Sequence, residues 1–233
     1  MTRCACALIQ TNSINLVLVA TGKSLGLQDE ETNMERGYWI RSKPLYDSLV
    51  WRQFATGHVV VAQGDGGLAV LKLFQQMCPR EPIKLLFADD KSASKKYADI
   101  IQTLVPEGLQ ICESEQAALA ALKEQLPDCL MGTQFYVAGS EEFIWAVLEV
   151  LKEYGVQDNN VAKELCGTLA RSVYCVHCKT ISKDVHFSIH ECDGCRRHLF
   201  VRDHFSRRLG AYMGVMVDAE EPGNIPAKEE IYP

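Results

Sequence analysis

The chain has 233 residues, 47% of them hydrophobic, and carries 30 Asp and Glu against 24 Lys and Arg, a formal charge of −6. That is enough chain for one core of ordinary size and a small appendage, since domains usually run about 100–200 residues. The acidic balance opposes a general affinity for phosphate backbones, so a protein or a small molecule is the expected partner rather than nucleic acid.

Near the N-terminus, "INLVLVA" (residues 14–20) follows a polar run and has no strong basic flank. It is too short for a signal-peptide core or a bilayer span, so the expected compartment is the cytoplasm, with no membrane partner. "LVLVATG" (16–22) reads as one strand, and "DEETNMERGYWIRSKP" (29–44) as a polar excursion interrupted by Pro44. Six cysteines (Cys4, Cys6, Cys78, Cys112, Cys129, Cys166) are scattered among apolar residues without paired spacing. They are expected to be reduced, because a chain this long needs no disulfide scaffold.

From residue 58 a regular alternation begins. "HVVVAQ" is a β-branched strand, "GDGG" a turn, and "LAVLKLFQQM" has helical spacing of its apolar residues. The pattern repeats in "IKLLFAD" with "SASKKYADIIQTL", in "LQICES" with "EQAALAALKEQL", and in "TQFYVAGS" with "EEFIWAVLEVLKEYG". Strands followed by helices of ten or more residues imply parallel crossovers and a Rossmann-like sheet covered on both faces. Ser114 and Ser140 stand where an N-cap hydroxyl would accept from an unpaired helix amide, and Gly155 stands where the last helix should stop.

The cluster Gly64, Asp65, Gly66, Gly67 lies between strand and helix, where missing side chains let backbone amides approach a diphosphate. It lacks the full G-x-G-x-x-G pattern, and the same glycines suit a tight turn that packs helix on sheet. Asp65 would also confront phosphate oxygens with a like charge.

After Gly167 the composition shifts to cysteine, histidine and arginine, so a boundary is expected near residue 170: an α/β domain over 1–170 and a small module over 171–233. Within it, Cys175/Cys178 and Cys192/Cys195 form two Cys-x-x-Cys pairs separated by thirteen residues. Two such turns returned by a hairpin place four thiolates around one ion, zinc or alternatively iron; disulfides or separate redox pairs are the competing reading. "KTISKDVHFSIHE" between them reads as a two-stranded ribbon. His177, His186, His190 and His198 are expected at the surface or behind the ligands. Arg196, Arg197, Arg202, Arg207 and Arg208 follow, mixed with Phe200, Phe205, Tyr212, Leu209, Met213 and Val215. That mixture suggests a surface that docks against protein, with a solvated charged face or a nucleic-acid-binding ribbon as alternatives.

"RDHFSRRLGAYMGVMVDAEEPGNIP", behind the two cysteine pairs, resembles the carboxy-terminal signature of the DmmA-like subunit of dimethylamine monooxygenase over about sixty residues. Residues 50–166 more loosely resemble the nucleotide-binding half of ferredoxin-NADP reductase-like proteins. In that likeness Gly64 and Gly66 match phosphate-loop glycines, and Gly139 in "FYVAGSEEF" matches the glycine of a Cys-Gly-Pro motif, with Ala138 for the cysteine and Ser140 for the proline. Asp65 replaces a phosphate-binding threonine, and the flavin motif Arg-x-Tyr-Ser is missing.

The resemblance implies a ferredoxin reductase-type α/β domain followed by a zinc-ribbon or rubredoxin-like Cys4 module. It implies a subunit of a multicomponent NAD(P)H-dependent oxygenase that converts dimethylamine to methylamine and formaldehyde. Heme or flavin would sit on partner subunits, and this chain would assemble the complex or relay electrons. Gly64, Asp65, Gly66, Gly67, Gly139 and Ser140 would line any NAD(P)H site. A stand-alone NAD(P)H-binding reductase and a zinc-ribbon nucleic-acid-binding protein are the competing functions.

Overall fold

The computed structural model describes residues 42–89, 97–104 and 108–233. The strand expected at 16–22 and all but the last three residues of the polar excursion lie outside them. Strands β1 (His58–Gln63), β2 (Ile83–Ala88), β3 (Leu109–Cys112), β4 (Gln134–Gly139) and β5 (Val161–Leu165) form one sheet in the order β3-β2-β1-β4-β5. Every pairing is parallel.

Helices α1 (Gly66–Gln75), α2 (Tyr97–Leu104), α3 (Glu115–Gln125) and α4 (Glu141–Glu153) make the crossovers. Strand periodicity sends Val59 and Val61 to the α3–α4 face, and Val60 and Ala62 to the α1–α2 face. All four are buried, so the run reads as continuously apolar rather than alternating. Ser114 and Ser140 do cap their helices, accepting from the N–H groups of Ala117 (3.1 Å) and Phe143 (3.3 Å). Such a cap contributes about 1 kcal/mol. Gly155 follows α4 at φ +76°, in the left-handed region that suits a residue without Cβ.

The fifth strand, "VAKEL", carries two charged residues and has a weak apolar signal. Its outer edge is partly covered by the segment before β1, where Asp47 N–H donates to Lys163 O (3.0 Å) and Leu49 N–H to Glu164 Oε2 (2.7 Å). Leu49 thereby reaches the core at 2% exposure.

A second sheet comprises β6 (Arg171–Cys175), β7 (Ile181–Val185), β8 (Ile189–Glu191), β9 (His198–Ser206) and β10 (Ala211–Met216), in the order β7-β6-β10-β9-β8. The two strands expected to form a ribbon between the cysteine pairs exist but do not pair with each other. β7 joins β6, and β8 joins β9 at the opposite edge. Alternation fixes which face a strand buries and is silent about its neighbour. Among the apolar residues of the arginine segment, Leu209, Met213 and Val215 are half-buried. Leu199, Val201, Phe205 and Tyr212 fill this sheet's own core, while Phe200 stays outward.

One helix joins the two cores. Trp145 of α4 packs 4.7 Å from Phe205, which meets Tyr212 at 4.9 Å. At the opposite end of β1, His58 is buried with Nδ1 3.0 Å from the Tyr136 hydroxyl. Its Nε2 has no hydrogen-bond partner among the described residues and lies 3.9 Å from Glu81.

Burial lowers the His58 pKa, against the opposing pull of Glu81. The unfolded chain therefore binds a proton below about pH 6.5 that the folded chain refuses, so stability falls with acidification from that point. Urea midpoints measured between pH 7.5 and 5.5 should show this slope, and His58→Gln should flatten it.

Candidate metal centre

The second sheet delivers the four thiols. β6 ends in Cys175, whose turn runs to Cys178, and Cys192–Cys195 forms the turn between β8 and β9. The two turns share one hydrogen-bond pattern. Lys179 N–H donates to Cys175 O and Arg196 N–H to Cys192 O, both at 2.9 Å. Likewise Cys175 N–H donates to Thr180 O and Cys192 N–H to Arg197 O, again at 2.9 Å. Lys179 (φ +68°) and Arg196 (φ +61°) occupy the same left-handed position behind each second cysteine. A non-glycine residue there carries strain of about 1 kcal/mol or more, which persists only when the surroundings fix the turn.

All four Sγ atoms lie within 4.8 Å of one another. Cys175 and Cys195 are 3.8 Å apart, and Cys178 and Cys192 3.5 Å. These separations exceed an S–S bond of about 2.05 Å, so none of the four is bonded to another. They match the edge of a tetrahedron with metal–sulfur bonds of about 2.3 Å, which is about 3.8 Å. Among the described residues this is the one cluster of three or more His, Cys, Asp or Glu with such geometry. His177 faces Arg197 and His186 faces Asp184 and Tyr232 O; neither histidine belongs to the cluster.

The donor set is prepared for a cation. The Thr180 hydroxyl, 3.3 Å from Cys178 Sγ, and the Thr180 backbone hold the Cys178 thiol down to about 6. The Arg197 backbone lowers the Cys195 thiol. Cys192 is pushed up to about 11 by burial, so its ionisation awaits the field of an ion. Gly194 closes the site: a Cβ there would stand 2.3 Å from Thr180 Oγ1 and 3.1 Å from Cys178 Sγ. Thr180 and Gly194 were not singled out from the sequence; the glycine inside the second pair was the available signal.

The glycine cluster and the β4 end are also adjacent. β1 and β4 are neighbours at the point where strand order reverses, and their carboxyl ends carry Gly64 and Gly139. Gly64 (φ +49°) makes the turn. Gly66 and Gly67 are required by packing: a Cβ would stand 2.4 Å from Ala138 O or 2.4 Å from Tyr97 Cβ. Ser140 caps α4, and its hydroxyl also donates to Gln63 Oε1 at 3.2 Å, bridging the crevice. Asp65 contacts the position of Gly167 and, with Glu164, helps burial raise the neighbouring Cys166 thiol to about 11.

Residues 38–161 match the N-terminal domain of the family described as dimethylamine monooxygenase subunit DmmA-like, and residues 172–215 match its C-terminal domain. The chain belongs to the DmmA-like family. It is 34% identical over 101 residues to the heme-dependent oxidative N-demethylase delta subunit of Ectopseudomonas mendocina (strain ymp). That match covers 43% of this chain and 58% of the relative.

Similar solved structures include the ferredoxin reductase in carbazole 1,9a-dioxygenase (17% identity, TM-score 0.37, covering 51% of this chain and 40% of that one). Another is the FAD/NAD-binding domain of nitric oxide dioxygenase from Vibrio cholerae O1 biovar El Tor (16% identity, TM-score 0.38, covering 53% and 56%). Among the described residues no helix is long and apolar enough to cross a membrane.

Gly194→Ala should lower metal retention in chelator competition by about tenfold or more, because the added methyl pushes on Thr180 and a ligand sulfur together. Lys179→Gly should retain metal as well as the parent, since glycine takes the left-handed position without strain.

Proposed function

We propose that this chain is a structural subunit of a multicomponent NAD(P)H-dependent amine monooxygenase, of the kind that demethylates dimethylamine to methylamine and formaldehyde. Heme and flavin chemistry belongs to its partners. Residues 171–233 form the module that Cys175, Cys178, Cys192 and Cys195 fix through one metal ion. The observation that carries this reading is the convergence of four sulfurs at tetrahedral spacing within a family of monooxygenase subunits.

Zinc in these sulfurs would hold the two turns and supply no redox chemistry; iron would add a one-electron relay. The residues themselves orient and exclude. The left-handed turns aim the sulfurs inward, and burial of Cys175 and Cys192 keeps water from half of the donor set.

The α/β domain serves as a scaffold rather than a working dinucleotide site. Asp65 brings a carboxylate to the glycine turn, where it lies against Gly167; Gly66 and Gly67 are taken up by packing, and Ser140 is engaged by Phe143 and Gln63. A carboxylate in the loop opposes an incoming phosphate of like charge. The arginines of β9 and its flanks are partly met by acids, Arg196 by Glu191 (2.6 Å) and Arg207 by Asp158 (3.6 Å). With a net charge of −6, this favours a protein partner over nucleic acid.

Two measurements test the reading. Tagged chain expressed with its neighbouring gene products should co-purify with oxygenase subunits and support N-demethylation. Cys192→Ser should lose that association, and retained association with full activity would refute the assembly role. Titration of the isolated chain with NADH and NADPH should show no saturable binding at millimolar concentration; tight binding would instead make the chain a reductase.

A further inference from the structure

A cavity of about 700 Å³ lies where the α/β core meets the second sheet, walled by Leu165, Leu169, Val201 and Ile231. Five charged side chains line it, and Lys43 pairs with Asp203 (2.7 Å) beside Arg202, while the other two are more than nine-tenths buried: Glu141 is 6% exposed and Arg171 8%. Neither belongs to the cysteine centre or to the glycine crevice.

Their own partners leave part of each group unused. Glu141 Oε1 accepts from the hydroxyls of Tyr46 (2.7 Å) and Tyr212 (3.2 Å), while Oε2 has no donor among the described residues. Arg171 is stacked between the rings of Tyr212 and Tyr232, 3.9 and 3.8 Å from their centroids. Its Nη1 donates to Asp203 Oδ1 (2.9 Å) and to the Tyr232 hydroxyl (2.8 Å), while Nε and Nη2 have no acceptor among the described residues. Both side chains line the cavity.

A carboxylate and a guanidinium that line one cavity offer a bound molecule an acceptor and a donor of opposite charge. Both touch one side chain, Tyr212, Glu141 at its hydroxyl and Arg171 on its face, so they are separated by about one phenol ring. We propose that this cavity binds a small zwitterion of amino-acid type, its carboxylate on Arg171, its ammonium on Glu141 and an apolar side chain against Leu165, Leu169 and Val201.

A lone anion would face Glu141, and a lone cation would face Arg171. Only a molecule bearing both charges satisfies both groups at once. Burial raises the Glu141 pKa, so an arriving ammonium also stabilises the ionised carboxylate.

Calorimetry on the full chain tests this with L-leucine as probe, and with 3-methylbutylamine and 4-methylpentanoate as its two halves. L-leucine should bind saturably and each half at least about tenfold more weakly, the loss expected for one charged hydrogen-bonding contact. Glu141→Gln should weaken L-leucine by about tenfold and abolish its advantage over 4-methylpentanoate. Leu169→Trp, at a half-exposed wall position outside the polar network, should block the probe while metal content and far-ultraviolet circular dichroism stay unchanged. No saturable L-leucine binding up to about 10 mM, or equal binding by either half, would overturn the assignment.

Discussion

Four sulfurs held within 4.8 Å of one another impose a charge constraint on everything around them. As thiolates they repel one another, and a single cation resolves that repulsion. The rest of the second sheet is arranged to keep them there. β6 leads into one turn, β8 and β9 flank the other, and the parallel β6–β10 pairing with antiparallel β10–β9 fixes the distance between them. Gly214 of β10 lies where a Cβ would stand 2.7 Å from Val173 Cγ1 and 2.9 Å from Leu199 Cδ1, so the strands on either side approach closely.

The two halves of the chain meet through α4. Its start carries Ser140 at the reversal of strand order and Glu141 in the tyrosine network, and one turn later Trp145 enters the second core. Trp145 Nε1 donates to the Tyr46 hydroxyl at 2.9 Å, which in turn donates to Glu141. A helix that in a nucleotide-binding protein would present its amino end to phosphate here begins with Glu141 and Glu142 and hands its first turn to side chains of the adjoining sheet. The glycines of the first loop have a parallel history in physical terms: Gly66 and Gly67 let α1 approach β4 and α2, whatever else the loop does.

Much of this was legible in the residues. The β/α alternation, the serine caps and the left-handed Gly155 are local features, set by periodicity, hydroxyl position and the missing Cβ, and they appear where those rules put them. The convergence of the four cysteines was legible for the same reason, because the Cys-x-x-Cys turn is a local geometry repeated twice. What escaped was non-local. β5 carries lysine and glutamate because a preceding segment covers its edge. β7 and β8 sit on opposite sides of their sheet because β6 and β9 compete for them. The pairing of Glu141 with Tyr46 and Tyr212 spans 95 and 71 residues, a distance over which no periodicity carries information.

X-ray absorption at the metal edge, on the full chain purified with its partner subunits, tests the centre of this account most directly. One metal ion per chain with four sulfur scatterers at about 2.3 Å is the expected result. A metal-free chain, or a first shell in which nitrogen or oxygen replaces two of the sulfurs, would contradict it.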